Sequence, residues 1–152
     1  MKKLPLLLLA GLLVFGFSAC TSTTQIIAGD LRVELARIER ASDGGVQVTW
    51  RVRNPNVVSY LLSKTSHKIT LNGSIVGTVV DNLPLGVPAQ NQMERTGMLV
   101  PASPAAGSVI DQAVAQGSAA YGMESVVMLL IIDDKFEKIK FTASGTVPVV
   151  AK

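Results

Sequence analysis

The sequence predicts an all-β domain, an antiparallel β-sandwich of about seven short strands with one short helix. Three observations carry this. Several runs alternate apolar and polar residues with a period of two, most cleanly over 46–53. Turn chemistry separates these runs, as in Ser42-Asp43-Gly44-Gly45 and Asn72-Gly73. Only one segment reads as a helix, whereas a parallel α/β sheet needs helices between most of its strands.

Residues 30–40 set Leu31, Val33 and Leu35 in alternation with Arg32, Glu34 and Ala36. This predicts a strand with a bulge near Arg37, although Leu31, Leu35 and Ile38 also fit a helical period. Val46, Val48, Trp50 and Val52 then form the apolar side of a half-buried strand. Asn54-Pro55-Asn56 ends it, because proline has no N–H for a ladder and asparagine favours turns. Residues 67–71 form another strand, with Ile69 and Leu71 on one side. Asn72-Gly73 turns it into a partner over 74–80, since both residues tolerate the left-handed backbone of a tight hairpin.

Residues 83–88 are too proline- and glycine-rich for a central strand, and 93–100 form a weaker one. Ser103-Pro104 predicts a helix start, with serine as the cap and proline in the first turn. Ala106, Val109, Ile110, Ala113 and Val114 give that helix an apolar stripe, which ends at Gly117 and suits packing over an open end or edge of the sheets. Residues 125–132 form an apolar strand and Asp133-Asp134-Lys135 a turn. The last strand region, 136–148, offers Phe136, Ile139 and Phe141 to the core.

A leader precedes the domain. Lys2 and Lys3 form a positive start, 4–17 is an almost unbroken apolar run, and Ser18 and Ala19 are small. The apolar run falls short of the roughly 20 residues of a membrane-spanning helix. Phe17-Ser18-Ala19-Cys20 resembles the lipobox, the processing signal of bacterial lipoproteins, with Phe17 in place of the commoner Leu or Val. The resemblance implies cleavage before Cys20, diacylglycerol in thioether linkage on its sulfur, and acylation of the new N-terminus. A permanent transmembrane anchor and an ordinary secretory signal are the alternatives. The expected organisation is a signal peptide over 1–19, a lipidated tether over 20–29 and a folded domain over 30–150. Thr21 is not the aspartate associated with inner-membrane retention, so the analogy favours the periplasmic face of the outer membrane.

Cys20 is the sole cysteine and His67 the sole histidine of the 152 residues. An intrachain disulfide is excluded, and the usual soft ligands of a zinc site are absent. The formal charge is +3, from 14 Lys and Arg against 11 Asp and Glu. Without Lys2 and Lys3 the balance is near neutral, with no basic stripe of the kind nucleic acid requires. No cofactor or metal is expected. Gly73 and Gly77 lack the Gly-Lys-Ser/Thr of a phosphate loop. Asp133 and Asp134 lack the spaced oxygens and glycine turn of a calcium loop, and read as a solvated hairpin. His67 lies in phase with Ile69 and Leu71 and reads as a partly buried structural residue. Trp50 reads as core.

The order of motifs resembles the type 2 late-embryogenesis-abundant family, also called the water-stress and hypersensitive-response domain. The matching pieces are a hydrophobic strand through Trp50 into Asn54-Pro55-Asn56, the Asn72-Gly73 hairpin, Leu85-Gly86-Val87-Pro88-Ala89, and a closing Gly145-Thr146-Val147 strand. The resemblance implies an immunoglobulin/fibronectin-III-like sandwich, a link to desiccation or other stress, and no enzyme activity. Two functional expectations follow. One is a noncatalytic protein anchored to the cell envelope that protects or binds other macromolecules. The other is an accessory lipoprotein docking on an envelope complex through a sheet edge.

Overall fold

A computed structural model describes residues 30–130 and 135–152. The expected leader, the tether and Cys20 lie outside the described residues, as do Asp133 and Asp134. The fold is all-β with one helix, as predicted. The strands are β1 Arg32–Arg40, β2 Val46–Asn54, β3 Tyr60–Leu71, β4 Ser74–Asp81, β5 Leu85–Val87, β6 Asn91–Met98, β7 Val100–Pro101, β8 Ser118–Leu130 and β9 Phe136–Ala151. The helix α1, Ala106–Gln116, lies between β7 and β8. They form one curled sheet in the order β6-β2-β1-β9-β8-β3-β4-β7, with β5 extending the free edge of β3 beyond β4.

The curl folds the sheet into two facing layers. Strand β9 belongs to both. It is antiparallel to β8 from Phe136 to Pro148, and its last residues, Val149 to Ala151, pair with Ile38 to Arg40 of β1. That second pairing is parallel, so the sheet is mixed rather than purely antiparallel. A short return connection made the antiparallel expectation natural, whereas the first and last strands of the domain meet with no such constraint.

Alternation places the core as expected along β1 and β2. Val33, Leu35 and Ile38 are buried, with the register shift falling between Leu35 and Arg37. Val46, Val48, Trp50 and Val52 are buried on one side of β2. Asn72 and Gly73 both take positive φ, 48° and 83°, the geometry of a tight hairpin turn.

Four expectations change. Strand β8 begins at Ser118, directly after the left-handed Gly117, rather than at residue 125. Leu85–Val87 is not irregular but forms a short edge strand, in keeping with its exclusion from a central one, and its Leu85 and Val87 are buried. Ser103 does not cap the helix with its side chain: α1 starts at Ala106, and Ala105 occupies the cap with no side-chain bond. Ser103 stands two residues too early and instead accepts the Ala106 N–H on its carbonyl, at 3.1 Å. Phe136 is 52% exposed, and Ile139 and Phe141 are half-buried, because β1 covers only the far part of β9. The core residues of β9 are Val147 and Val149.

Helix α1 buries Ala106, Ile110 and Ala113. It sits at the end of the sandwich where β1 finishes, held there by Arg40 Nε on Asp111 Oδ1 at 3.0 Å. Its last turn connects to β9 through the Val149 N–H donating to the Gly117 carbonyl.

Strand β7 approaches β4 at Gly77, where a Cβ would collide with the Val100 carbonyl oxygen and press Leu99. Gly77→Ala is expected to lose about 1–3 kcal/mol in urea unfolding, the usual range for overpacking. Gly86→Ala, whose Cβ meets nothing within 4 Å, is the control and should stay near neutral.

Candidate functional site

The sequence motifs fall in three places, and each side chain is tied into the fold. At the end where β2 finishes, Asn54 is fully buried. Its Nδ2 donates to the carbonyls of Val58 at 2.7 Å and Pro88 at 3.0 Å, with a longer contact to Val87. Its Oδ1 accepts the Asn56 N–H at 3.0 Å. Asn56 in turn accepts the Gln90 N–H on its carbonyl. One amide thus holds the β2–β3 corner, around Pro55, against the β5–β6 connection. Arg53, Asn54, Pro55 and Gln90 to Gln92 line a shallow polar depression over this corner.

At the opposite end, Asn72 does more than turn the hairpin. Its Oδ1 accepts the Ala120 N–H at 3.1 Å and its own N–H donates to the Ala120 carbonyl at 2.8 Å. The hairpin is thereby fixed to the start of β8.

Gly145 marks the third place. It pairs with Tyr121, and a Cβ there would come within 3.2 Å of the tyrosine ring. The phenol oxygen accepts the Leu35 N–H at 3.4 Å, across the gap where β1 and β9 separate. Upstream of this point the gap opens into a cleft of about 270 Å³, lined by residues including Leu31, Val33, Arg53, Tyr121 and Phe141.

Between the layers lies a polar group that sequence reasoning only half found. His67 is fully buried, its ring 4.7 Å from that of Trp50. Nδ1 shares a hydrogen bond with Ser125 Oγ at 2.8 Å, and Nε2 shares one with Thr65 Oγ1 at 3.1 Å. A neutral imidazole has one N–H and one bare nitrogen, and each hydroxyl can donate or accept, so the chain is satisfied without charge. Burial lowers the His67 pKa to about 4, against a smaller opposing pull from the Asp81 carboxylate. Ser66, its sequence neighbour, points away; the bonded serine is Ser125, 58 residues along. The only available signal was that Ser125 sits in phase with Met123 and Val127 in an apolar run.

This serine–histidine pair is closed off from solvent. Ser125 is 2% exposed and His67 0%. Both imidazole nitrogens face hydroxyls, and no carboxylate orients the ring as in a hydrolytic triad. Among the described residues no three His, Cys, Asp or Glu side chains gather as a metal site would require. No helix among them is long and apolar enough to cross a membrane.

No protein-family model and no curated protein matches the chain. Solved structures do. The solution structure of an Arabidopsis thaliana protein superposes with a TM-score of 0.51 at 16% identity, covering 80% of this chain and 79% of that one. This likeness shows a shared fold. A crystal structure of an Archaeoglobus fulgidus protein gives 0.45 at 14% identity, over 78% and 94% of the two chains. The solution structure of a protein described as late embryogenesis abundant gives 0.40 at 9% identity, over 84% and 76%.

The sign of the His67 effect on stability follows from its depressed pKa. The unfolded chain binds a proton near pH 6.5 that the folded chain takes only near 4. Stability from this group is therefore full above about pH 6.5 and falls as pH drops towards 4, by roughly 3 kcal/mol in all. The difference in unfolding free energy between the native chain and His67→Gln should shrink over that window. A difference that stays constant from pH 7 to 4 would contradict the buried neutral imidazole.

Proposed function

We propose that the chain is a lipid-anchored, noncatalytic protein of the bacterial cell envelope whose domain is of the type 2 late-embryogenesis-abundant kind. In this reading residues 1–19 are removed, Cys20 carries the lipid, and the domain protects or binds other macromolecules during envelope or desiccation stress. The observation that carries it is the position of the sole cysteine, directly after an apolar leader and small residues, ten positions before the folded domain begins. A thiolate is the strongest nucleophile a protein offers, and two or more acyl chains hold a protein on a bilayer where one does not. The sealed Ser125–His67 pair supports a noncatalytic role. The motif order from Trp50 to Gly145 supports the family reading.

Mass spectrometry of the mature N-terminus should find an acylated Cys20, and Cys20→Ser should abolish processing. An unmodified cysteine would end the lipoprotein reading. For the stress role, a deletion strain should survive drying and freezing less well than its parent; equal survival would count against it.

A second reading is favoured by the open edges beside the cleft. β1 pairs with β9 only through Ile38, Glu39 and Arg40, so its earlier backbone faces a gap. Such an edge can accept a strand from a partner, as an accessory lipoprotein of an envelope complex would require. Affinity purification from solubilised membranes should then return a stoichiometric protein, and its absence would remove this reading.

A further inference from the structure

The Asn72-Gly73 turn holds a bond that an ordinary hairpin lacks. Strands β3 and β8 pair antiparallel as far as Leu71 and Tyr121. Asn72 and Ala120 come next in the same register, and they exchange two bonds as a directly opposed antiparallel pair does. The Asn72 N–H donates to the Ala120 carbonyl at 2.8 Å, in the usual way. The return bond is different. Asn72 has a φ of 48°, so the chain leaves the strand there, and its side-chain Oδ1 takes the Ala120 N–H at 3.1 Å where a strand would offer its backbone carbonyl. Ala120 is the third residue of β8, which starts straight after Gly117 at the end of α1. One carboxamide thus ties the β3–β4 hairpin to the strand that leaves the helix.

The same side chain precedes a glycine, and that pairing carries a reaction. The glycine backbone nitrogen, once it gives its proton to a solvent base, can attack the asparagine Cγ. The side-chain nitrogen leaves as ammonia and a five-membered succinimide forms. Water then opens one of its two carbonyls, giving aspartate, or isoaspartate with the main chain rerouted through the side-chain carbon. Glycine is the most permissive successor, because no Cβ shields its nitrogen. Asn72 and Gly73 are both exposed, and a Cβ on Gly73 would meet nothing within 4 Å. The other asparagines lack this neighbour. Asn54 precedes Pro55, which has no N–H, and Asn56, Asn82 and Asn91 precede Val57, Leu83 and Gln92.

The folded turn blocks the first step. Ring closure requires the Gly73 nitrogen to eclipse Cβ about the Asn72 Cα–C bond. The φ values of 48° and 83° are those of a type I′ turn, in which that nitrogen lies nearly anti to Cβ and out of reach of Cγ. The bond to Ala120 is a second restraint, since it holds the carboxamide towards β8. We infer that Asn72 is a deamidation site that the fold keeps closed and that reacts when the hairpin parts from β8. The two products differ in consequence. Aspartate keeps an acceptor oxygen and re-forms the bond to Ala120. Isoaspartate lengthens the main chain inside a two-residue turn, so the Leu71–Ser74 pairing and the Ala120 bonds no longer fit together. Each opening of this corner therefore risks an irreversible covalent mark. Neither the anchor nor the stress role is needed for it.

The test is peptide mapping by mass spectrometry of the full purified chain, aged at mildly alkaline pH with and without urea. In urea Asn72 should convert ahead of Asn54, Asn56, Asn82 and Asn91. The folded chain should convert at least about tenfold more slowly, because reaction waits for local opening. Equal rates would overturn the protection, and an Asn72 that survives in urea would overturn the site. When urea is removed, aged chains with aspartate at this position should regain the protease resistance of fresh chains, and those with isoaspartate should not. Isoaspartate chains that regain it would overturn the consequence assigned to the turn. Two variants check the tie to β8 without ageing. Asn72→Asp keeps the acceptor and should keep the urea midpoint. Asn72→Gly suits the left-handed turn but removes the acceptor, and should lower the midpoint; an unchanged midpoint would overturn the tie.

Discussion

Strand β9 is the constraint on which the rest of the architecture depends. It has sixteen residues and serves two layers, following β8 for most of its length and meeting β1 only at its end. Where its pairing passes from β8 to β1, Val147 and Val149 are sealed. Where β1 has diverged, Ile139 and Phe141 are only half-covered and a cleft opens. Tyr121 spans the point of divergence. Its ring needs the space left by Gly145, and its hydroxyl accepts the Leu35 N–H. At 3.4 Å this bond is long, so the ring's packing contributes more to closing the gap than the hydrogen bond does.

The core that β9 helps to close is mostly aliphatic and is crossed by one polar seam. Burying imidazole is costly unless its nitrogens find partners, and Ser125 and Thr65 supply one each from β8 and β3. Trp50 packs its ring beside His67 and against Gly97, yet its indole Nε1 has no partner among the described residues. An unmet buried donor costs about 1–3 kcal/mol, comparable with what burial of a large side chain returns. Tryptophan persists there because its ring spans the space between β2, β3 and β6 that a smaller side chain would leave empty.

Strands with one wet face were legible in the sequence, because alternation reports burial directly. Val46 to Val52, the bulge beside Arg37 and the Asn72-Gly73 turn belong to this class. What the sequence hid depends on distant partners. Residues 118–124 contain Ala119, Tyr121 and Met123 in strand phase, but Gly122 reads as a breaker. In the fold it is a strand residue clasped by Thr70, whose Oγ1 bonds both its N–H and its carbonyl at 3.1 Å, and a Cβ would collide with that oxygen. Phe136 departs from the pattern for the converse reason. Its hydrophobicity predicts burial, and only the divergence of β1 from β9 leaves it outside. The candidate site divides likewise: Asn54 could be read as a corner residue from local chemistry, whereas the link between His67 and Ser125 crosses 58 positions and leaves no local trace.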